Sequence, residues 1–552
     1  MHLKIPSIFV FIFIFFAGML VSKKSSAQFP KFQLSSIANL FKSKPGDTLN
    51  KTAIPIAVGY TDFDDAIRDL QLLGKLPSES SLTIRPYILP KSVSYDSLLQ
   101  AIDPELLNEG HLFHNKHFDV QLLPFNYLQK YNSNRPYAWN DGPLSFSNGY
   151  QYLVSGGAYF RWKNIHLTLR PEYYHTASDK YETSSEWGQV NPSLNKLTLG
   201  QSNLRIDFGP ISISGGNNNI WLGPGVYSSL IMSNNAPGFG HAEITTNRPI
   251  KTPIGNFELM LMGGNLTTFS NQGFENNSLR KINEVTQLRY LNILNLTYEP
   301  IFLKNFYLGL NRVFHSYAPT NSFNLKDGYL LVLNSLFRNQ YNDDSKPIDQ
   351  LLSVYSRYLF PKNNAEIYFE YGLNDGSSNM RELLTDLSHS AASIFGFKKL
   401  QYLTSTNYLS FNIEATRKSQ TPSYLLRNSG NWYEHGFLLA GYTNQNQIIG
   451  DGSGFGNNVQ TAVISYGNVT KRIGIKYQHI EQNPRRLVGT VGNLWLGDVF
   501  WNDYAYGIQA KYNLNKIMFS LESQWVKSNN FLWQAGNQKD NLFIFLNTIY
   551  TW

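Results

Sequence analysis

The sequence predicts an all-β chain: a transmembrane antiparallel β-barrel of roughly 18 strands with a small N-terminal helical periplasmic element. Three observations predict it. Short segments of alternating apolar and polar residues, separated by polar turns, recur from about residue 117 onward. The N-terminus reads as an export signal, and no later window approaches the ~20 apolar residues that a spanning helix needs. The last twelve residues, NLFIFLNTIYTW, form an amphipathic strand that ends on an aromatic ring. A membrane location for the mature chain therefore has to use strands.

Composition agrees with a barrel. The 552 residues include 34 Tyr, 36 Phe and 10 Trp, yet the chain is hydrophilic on average, as expected when half of each strand meets lipid and half a wet interior. Zero cysteines exclude a disulfide framework, a thiolate metal site and a lipidated cysteine anchor. The formal charge of +8 falls to +5 once the signal's Lys4, Lys23 and Lys24 are removed, leaving 44 basic against 39 acidic residues. That balance is too mild to argue for a nucleic-acid partner, and none is expected.

Residues 1–27 read as the signal peptide. A lysine precedes an apolar run over 5–21 interrupted only by Ser7, and Ser25-Ser26-Ala27 supplies the small residues of a cleavage site. Residues 28–116 read as a periplasmic leader with short helices. Thr61 can cap a helix over 62–73 that places Phe63, Ile67 and Leu70 on one stripe and stops at Gly74. A short strand over 82–87 and a helical turn over 96–102 follow.

Residues 117–552 read as the outer-membrane barrel. After the Lys163-Asn164 turn, Ile165, Leu167, Leu169 and Tyr173 share one face, and His166, Thr168, Arg170 and Glu172 the other. Around Gly209-Pro210, Leu204, Ile206, Phe208, Ile211 and Ile213 oppose Arg205, Asp207, Ser212 and Ser214. The same alternation sets Ile367 and Phe369 against Glu366 and Glu370, and Ile517, Phe519, Leu521 and Trp525 against Lys516, Glu522 and Gln524. A β-sandwich also alternates, but its polar face would be the outer one. Arg170, Glu172, Arg205 and Asp207 thus become lumen charges, and pairing between inward ions is the expectation for them. With both barrel ends in the periplasm, parity makes 481–502 and 527–540 extracellular loops, and leaves 418–458 open between one long loop and an extra hairpin.

The tract over 220–241, IWLGPGVYSSLIMSNNAPGFGH, resembles the central signature of the capsule assembly protein Wzi family, particularly its Bacteroidetes-type members. The similarity extends to Arg170-Pro171-Glu172, to the YAWNDG tract from Tyr137, to Gly149-Tyr150-Gln151, to the LQLLG tract ending at Gly74 and to the WYEHG tract from Trp432. Leu222 departs from it, standing where a second aromatic is expected beside Trp221. The resemblance implies an outer-membrane lectin barrel that attaches capsular or other surface polysaccharide at the cell surface of a Gram-negative bacterium, with no catalysis and no cofactor. Outer-membrane lipid and the barrel assembly machinery are its expected further partners, and a monomer its expected state. The alternative is a porin or transporter.

Read physically, Gly223, Pro224 and Gly225 enforce a tight turn, while Ser228, Ser229, Ser233, Asn234 and Asn235 supply a dense set of donors and acceptors. Such a segment can fold inward as a plug, or line a sugar site beside Trp221; both readings stay open. In the predicted outer loops, Arg485, Arg486, Trp495 and Trp501, with Lys527 and Trp533, set aromatic faces next to cations, the pairing that stacks on pyranose rings and attracts acidic glycans.

Catalytic and metal signatures are absent. His111, His114 and His117 would suit a metal only on a helix, and no carboxylate follows before Asp119, so no metal is assigned. The GDGSGFGNN tract over 450–458 has no accompanying phosphate or calcium motif and reads as a flexible connection. Ser388-His389-Ser390 lacks a nucleophile signature.

Overall fold

The computed structural model describes residues 54–177, 193–268, 288–318, 348–374, 385–419, 431–483 and 499–552, apart from gaps of one to three residues within 54–116 and at 387, 436–437 and 439. The predicted signal peptide and the start of the leader lie outside the described residues. So do Arg485, Arg486 and Trp495.

Eighteen strands among the described residues close into one antiparallel barrel. The wall begins with β1 (Phe118–Asn132), β2 (Gly149–Trp162), β3 (Ile165–Leu169, continued by Glu172–Thr176), β4 (Leu194–Thr198, continued by Asn203–Phe208), β5 (Ile211–Gly216) and β6 (His241–Thr246). It continues with β7 (Gly255–Leu266), β8 (Arg289–Pro300), β9 (Phe306–Tyr317), β10 (Ile348–Phe360), β11 (Ala365–Asn374) and β12 (Ala391–Tyr402). Strands β13 (Tyr408–Arg417), β14 (Asn458–Gly467), β15 (Arg472–Glu481), β16 (Asn502–Leu514), β17 (Ile517–Asn529) and β18 (Gln538–Tyr550) complete it. β18 closes on β1, with Phe543 opposite Asn132 and Tyr550 opposite Phe125. Closure leaves no open sheet edge, the condition for a strand-built structure to sit in lipid.

The alternation read from sequence is the one the wall displays. Ile211, Ile213, Ile367, Phe369 and Ile475 are exposed on the outside, while Glu366, Glu370, Arg205 and Ser212 are buried inside. Lys163 and Asn515, with φ of 53° and 53°, turn tight hairpins at the periplasmic end. Paired strands reach Leu514 opposite Ile517, so Asn515 and Lys516 make the last of these turns.

The described residues of 54–106, within the predicted leader, fill the periplasmic mouth of the barrel. Helix α1 (Phe63–Leu72) ends at Gly74, whose φ of +68° allows Lys75 N–H to return to Leu70 O at 2.8 Å. Helix α2 (Tyr95–Ile102) starts at Ser94, whose Oγ accepts the Ser97 N–H at 3.0 Å. Phe63, Ile67, Leu70, Leu98 and Leu99 share one buried cluster with the inward barrel residues Leu123, Tyr159, Met518 and Ile549. The apolar stripe that identified α1 packs against the wall.

The polar side of α1 is clamped as well. Lys398 Nζ stands 2.6 Å from Asp69, the Tyr408 hydroxyl donates to Asp69 at 3.0 Å, and Arg472 pairs with the same carboxylate. Arg68 pairs with Glu366, which also receives Arg357 at 2.8 Å. Burial pushes the Asp69 carboxyl up, but Lys398 and Arg472 outweigh it and hold the group well below the usual carboxylate range. Asp64 is pushed up to about 6 by burial, which outweighs the pull of Arg85 at 4.0 Å.

Candidate functional site: the filled lumen and the outer rim

Three long connections at the end opposite the short turns fold back and interlock: residues 133–148, 217–240 and 431–457. The signature tract is the centre of this packing. Trp221 and Leu222 pair as a two-residue strand with Arg85 and Ile84, the Arg85 guanidinium lies over the Trp221 ring at 4.4 Å, and Gly223 N–H donates to Thr83 O at 2.8 Å. The loop therefore reaches from the outer end of the wall to the segment that fills the periplasmic mouth.

The turn is as tight as Gly223-Pro224-Gly225 suggested. Gly223 has φ of +120°, and a Cβ on Gly225 would lie 1.9 Å from Ser228 O. Just past it, Val226 N–H donates to Glu414 at 2.7 Å and Tyr227 N–H at 3.1 Å, and Tyr368 brings its hydroxyl to the same carboxylate at 2.7 Å.

The Ser/Asn groups answer other parts of the chain. Ser229 Oγ donates to Leu222 O, and Ser233 Oγ to Gly450 O at 2.6 Å. Asn234 Nδ2 donates to Asn140 O at 3.1 Å and Asn234 Oδ1 accepts from Asn219 Nδ2 at 2.6 Å; Asn235 Nδ2 donates to Ile448 O at 2.9 Å; Ser228 is fully buried. These buried polar groups thus meet partners from distant parts of the chain, as buried polar groups generally do.

Among the described residues of 418–458 a miniature hairpin, Thr443–Asn444 against Gln447–Ile448, folds inward, and no added wall strand is present among them. Its glycine-rich end is not the flexible connection expected. Lys418 stands 2.6 Å from Asp451 and donates to Gly454 O at 2.6 Å, all fully or nearly fully buried. Trp432 and Tyr433, from the WYEHG tract, are also fully buried, and Tyr433 donates to Leu230 O at 2.8 Å.

Arg170, Glu172 and Arg205 are buried on the inward face of the wall. Arg205 Nε lies 2.9 Å from Asp207, whose other oxygen stands 3.0 Å from His166 Nε2; Arg170 Nε donates to Ser155 at 3.2 Å, and Glu172 accepts from Gln201 at 2.9 Å. Cavities remain among the described residues, two of them sizeable. One of about 250 Å³ lies inside, between Trp221, Tyr137, Trp139, Tyr227, Asp64 and Lys476. The other, about 1120 Å³, lies at the periplasmic end between the leader and β3–β9.

At the outer rim the predicted glycan residues separate. Trp501 is fully buried: its indole donates to Asp503 Oδ1 at 2.8 Å, and Phe531 and Trp533 lie edge-on at 4.9 and 5.0 Å. Trp533 is half-buried, and its Nε1 has no hydrogen-bond partner among the described residues. Asn530, Leu532 and Trp533 all adopt left-handed backbone, with φ of 53°, 60° and 54°. Such strain in side chains other than glycine clusters where structure serves a site. Lys527 is not in a loop, because β17 runs on to Asn529 and pairs Lys527 with Asp540. It is exposed on the same outward face as Trp525. Arg135, absent from the sequence reading, closes the group by pairing with Asp503 at 2.9 Å. No motif marks it.

The fold and the self-filled lumen define a plugged transmembrane β-barrel. The family model for capsule assembly protein Wzi matches residues 131–542. The chain belongs to the Wzi family and is an outer-membrane protein. Among solved structures it is similar to Wzi of Escherichia coli, an outer membrane protein involved in group 1 capsule assembly and a carbohydrate-binding β-barrel, at 12% identity over 90% of this chain and 100% of that one, with a TM-score of 0.59. More distant are OprD of Pseudomonas aeruginosa (11% identity, 77% and 92% covered, TM-score 0.37) and OccAB1 of Acinetobacter baumannii (9%, 78% and 96%, 0.40), whose likeness carries no argument. A search of curated proteins found no match.

Proposed function

We propose that this barrel is a non-catalytic lectin that attaches capsular or other surface polysaccharide at the cell surface. The observation that carries the reading is the packing of 133–148, 217–240 and 431–457 into the lumen above a helix clamped in the periplasmic mouth. A barrel so filled has its outer rim left as the surface for a polymer. There Trp533 offers a partly open ring on a strained loop, and Lys527 adds positive charge at the lipid boundary. Arg485, Arg486 and Trp495 belong to the same proposed surface by sequence. Outer-membrane lipid and, during biogenesis, the barrel assembly machinery are the other partners in this reading, and the closed sheet suits a monomer.

A deletion strain stained for cell-attached and released polysaccharide tests the proposal. The expected result is transfer of polysaccharide from cells to medium, reversed by the wild-type gene. Unchanged attachment in the deletion strain contradicts it.

A further inference from the structure

Just before β1, the four-residue strand His111–His114 lies antiparallel to the start of β1, with His111 opposite Gln121, Phe113 opposite Val120 and His114 opposite Asp119. A regular strand would point residues 111 and 114 to opposite faces. The register shifts between His111 and Phe113, and that bulge resets the alternation. Both imidazoles end on one side, their centroids 5.6 Å apart.

Between them stands the Asp119 carboxylate, fully buried, with Oδ1 3.1 Å from His114 Nδ1 and 3.5 Å from His111 Nδ1. One ligand atom from each of the three residues lies within 4.8 Å of the others. Zinc bound tetrahedrally at about 2.0–2.2 Å from nitrogen and oxygen separates its ligands by about 3.3 Å, so two of the three edges are already in place and a small rotation of an imidazole completes the third. The far nitrogen of His111 faces Asp96 at 3.5 Å, the position of the carboxylate that orients a metal-bound imidazole from behind. The histidine side chains are about a quarter exposed, which leaves a path for an ion and an open position for water.

We propose that His111, His114 and Asp119 form a site for one divalent transition metal of the zinc class, with Asp96 positioning His111. The ion fastens the segment before the barrel to β1. That segment also meets the closing strand's end, since Glu109 N–H donates to Trp552 O at 2.8 Å and Glu109 pairs with Lys516. The metal therefore clips the seam where first and last strands join.

The test is calorimetric titration of Zn²⁺ into the untagged, chelator-treated full chain in detergent, with Ca²⁺ and Mg²⁺ as controls, and Co²⁺ absorption as a report on geometry. The expected result is one Zn²⁺ per chain, no comparable binding of Ca²⁺ or Mg²⁺, and the intense visible bands of four-coordinate Co²⁺. His114→Ala should weaken Zn²⁺ more than 100-fold, and Asp96→Asn about 10-fold at unchanged stoichiometry. Each variant's heat-modifiable migration checks folding, and Asp96→Asn keeps all three ligands should His114→Ala fail to fold. Absence of stoichiometric Zn²⁺ binding by the folded wild-type barrel, or wild-type affinity in a folded His111→Ala/His114→Ala variant, would overturn the proposal and leave a histidine–aspartate ion pair.

Discussion

Trp501 donates its indole N–H to Asp503 at 2.8 Å, and Arg135 holds the other oxygen of that carboxylate at 2.9 Å. The ring that sequence offered to a sugar is thus a buried strut beneath Trp533. Trp501→Ala should destabilise the barrel by roughly 3–5 kcal/mol through cavity formation, with altered outer loops as a secondary effect. Trp533→Ala should leave the denaturation midpoint nearly unchanged while reducing retained polysaccharide. Equal unfolding midpoints for wild type and Trp501→Ala would contradict the strut.

The plug makes an electrical prediction. Wild-type protein in planar bilayers should show little steady conductance. Gly225→Ala would bring a methyl within 1.9 Å of Ser228 O, so the loop must shift and Glu414 must release Val226 and Tyr227. Brief or persistent openings should appear in the variant. Large stable channels in the wild type would instead favour the porin reading.

Acid should loosen the periplasmic helix. Lys398 and Arg472 hold the folded Asp69 pKa below its unfolded value of about 3.9, so its contribution is present above that value and is lost as pH falls below it. Asp69→Asn should remove the contribution at neutral pH and cost about 3–5 kcal/mol, because two cations lose a buried partner. Protease protection of residues 63–72 across pH 2–7 reads both effects; protection independent of pH and of the substitution would contradict the clamp.

Asp64 has the opposite sign. Its folded pKa of about 6 exceeds the unfolded value, so its contribution is complete below about 3.9 and is lost as pH rises through 6. Asp64→Asn should raise thermal stability at pH 7.5 and change it little at pH 4. A variant less stable than wild type at pH 7.5 would show that Arg85 outweighs the burial.

The closing strand carries its own test. Trp552 Nε1 donates to Leu123 O at 2.8 Å, and its ring lies edge-on to Tyr550 at 5.1 Å. Removing residues 550–552 should lower the amount of heat-modifiable barrel in the outer membrane several-fold. Normal insertion would contradict that role.

Wall, face and parity were legible because a strand's period of two leaves its mark in local sequence: Ile211 and Ile213 against Ser212 and Ser214 is enough to orient β5. What the inward loops do was not, since Asn234 meets Asn140 and Ser233 meets Gly450 across long separations that no local pattern encodes. The same limit hid the placement of α1, whose stripe announced a helix but not the wall residues Met518 and Ile549 that cover it. At the rim, residue type suggested Trp501 as a ligand face; only the positions of Phe531 and Asp503 make it structural. Sequence argues against a metal at His111 and His114 by their spacing off a helix and the want of a carboxylate before Asp119, because a bulge that brings them to one face leaves no trace in sequence.

The most direct measurement of the central claim is binding of the purified barrel to surface polysaccharide extracted from its own strain, followed by biolayer interferometry. Saturable binding is expected, weakened several-fold by a Trp495→Ala/Trp533→Ala variant that keeps its heat-modifiable fold. It should weaken further as salt rises if the polymer is acidic. Wild-type protein that does not bind the polysaccharide, or a variant that binds it as well as the wild type, would contradict the account of the outer rim as a glycan-holding surface.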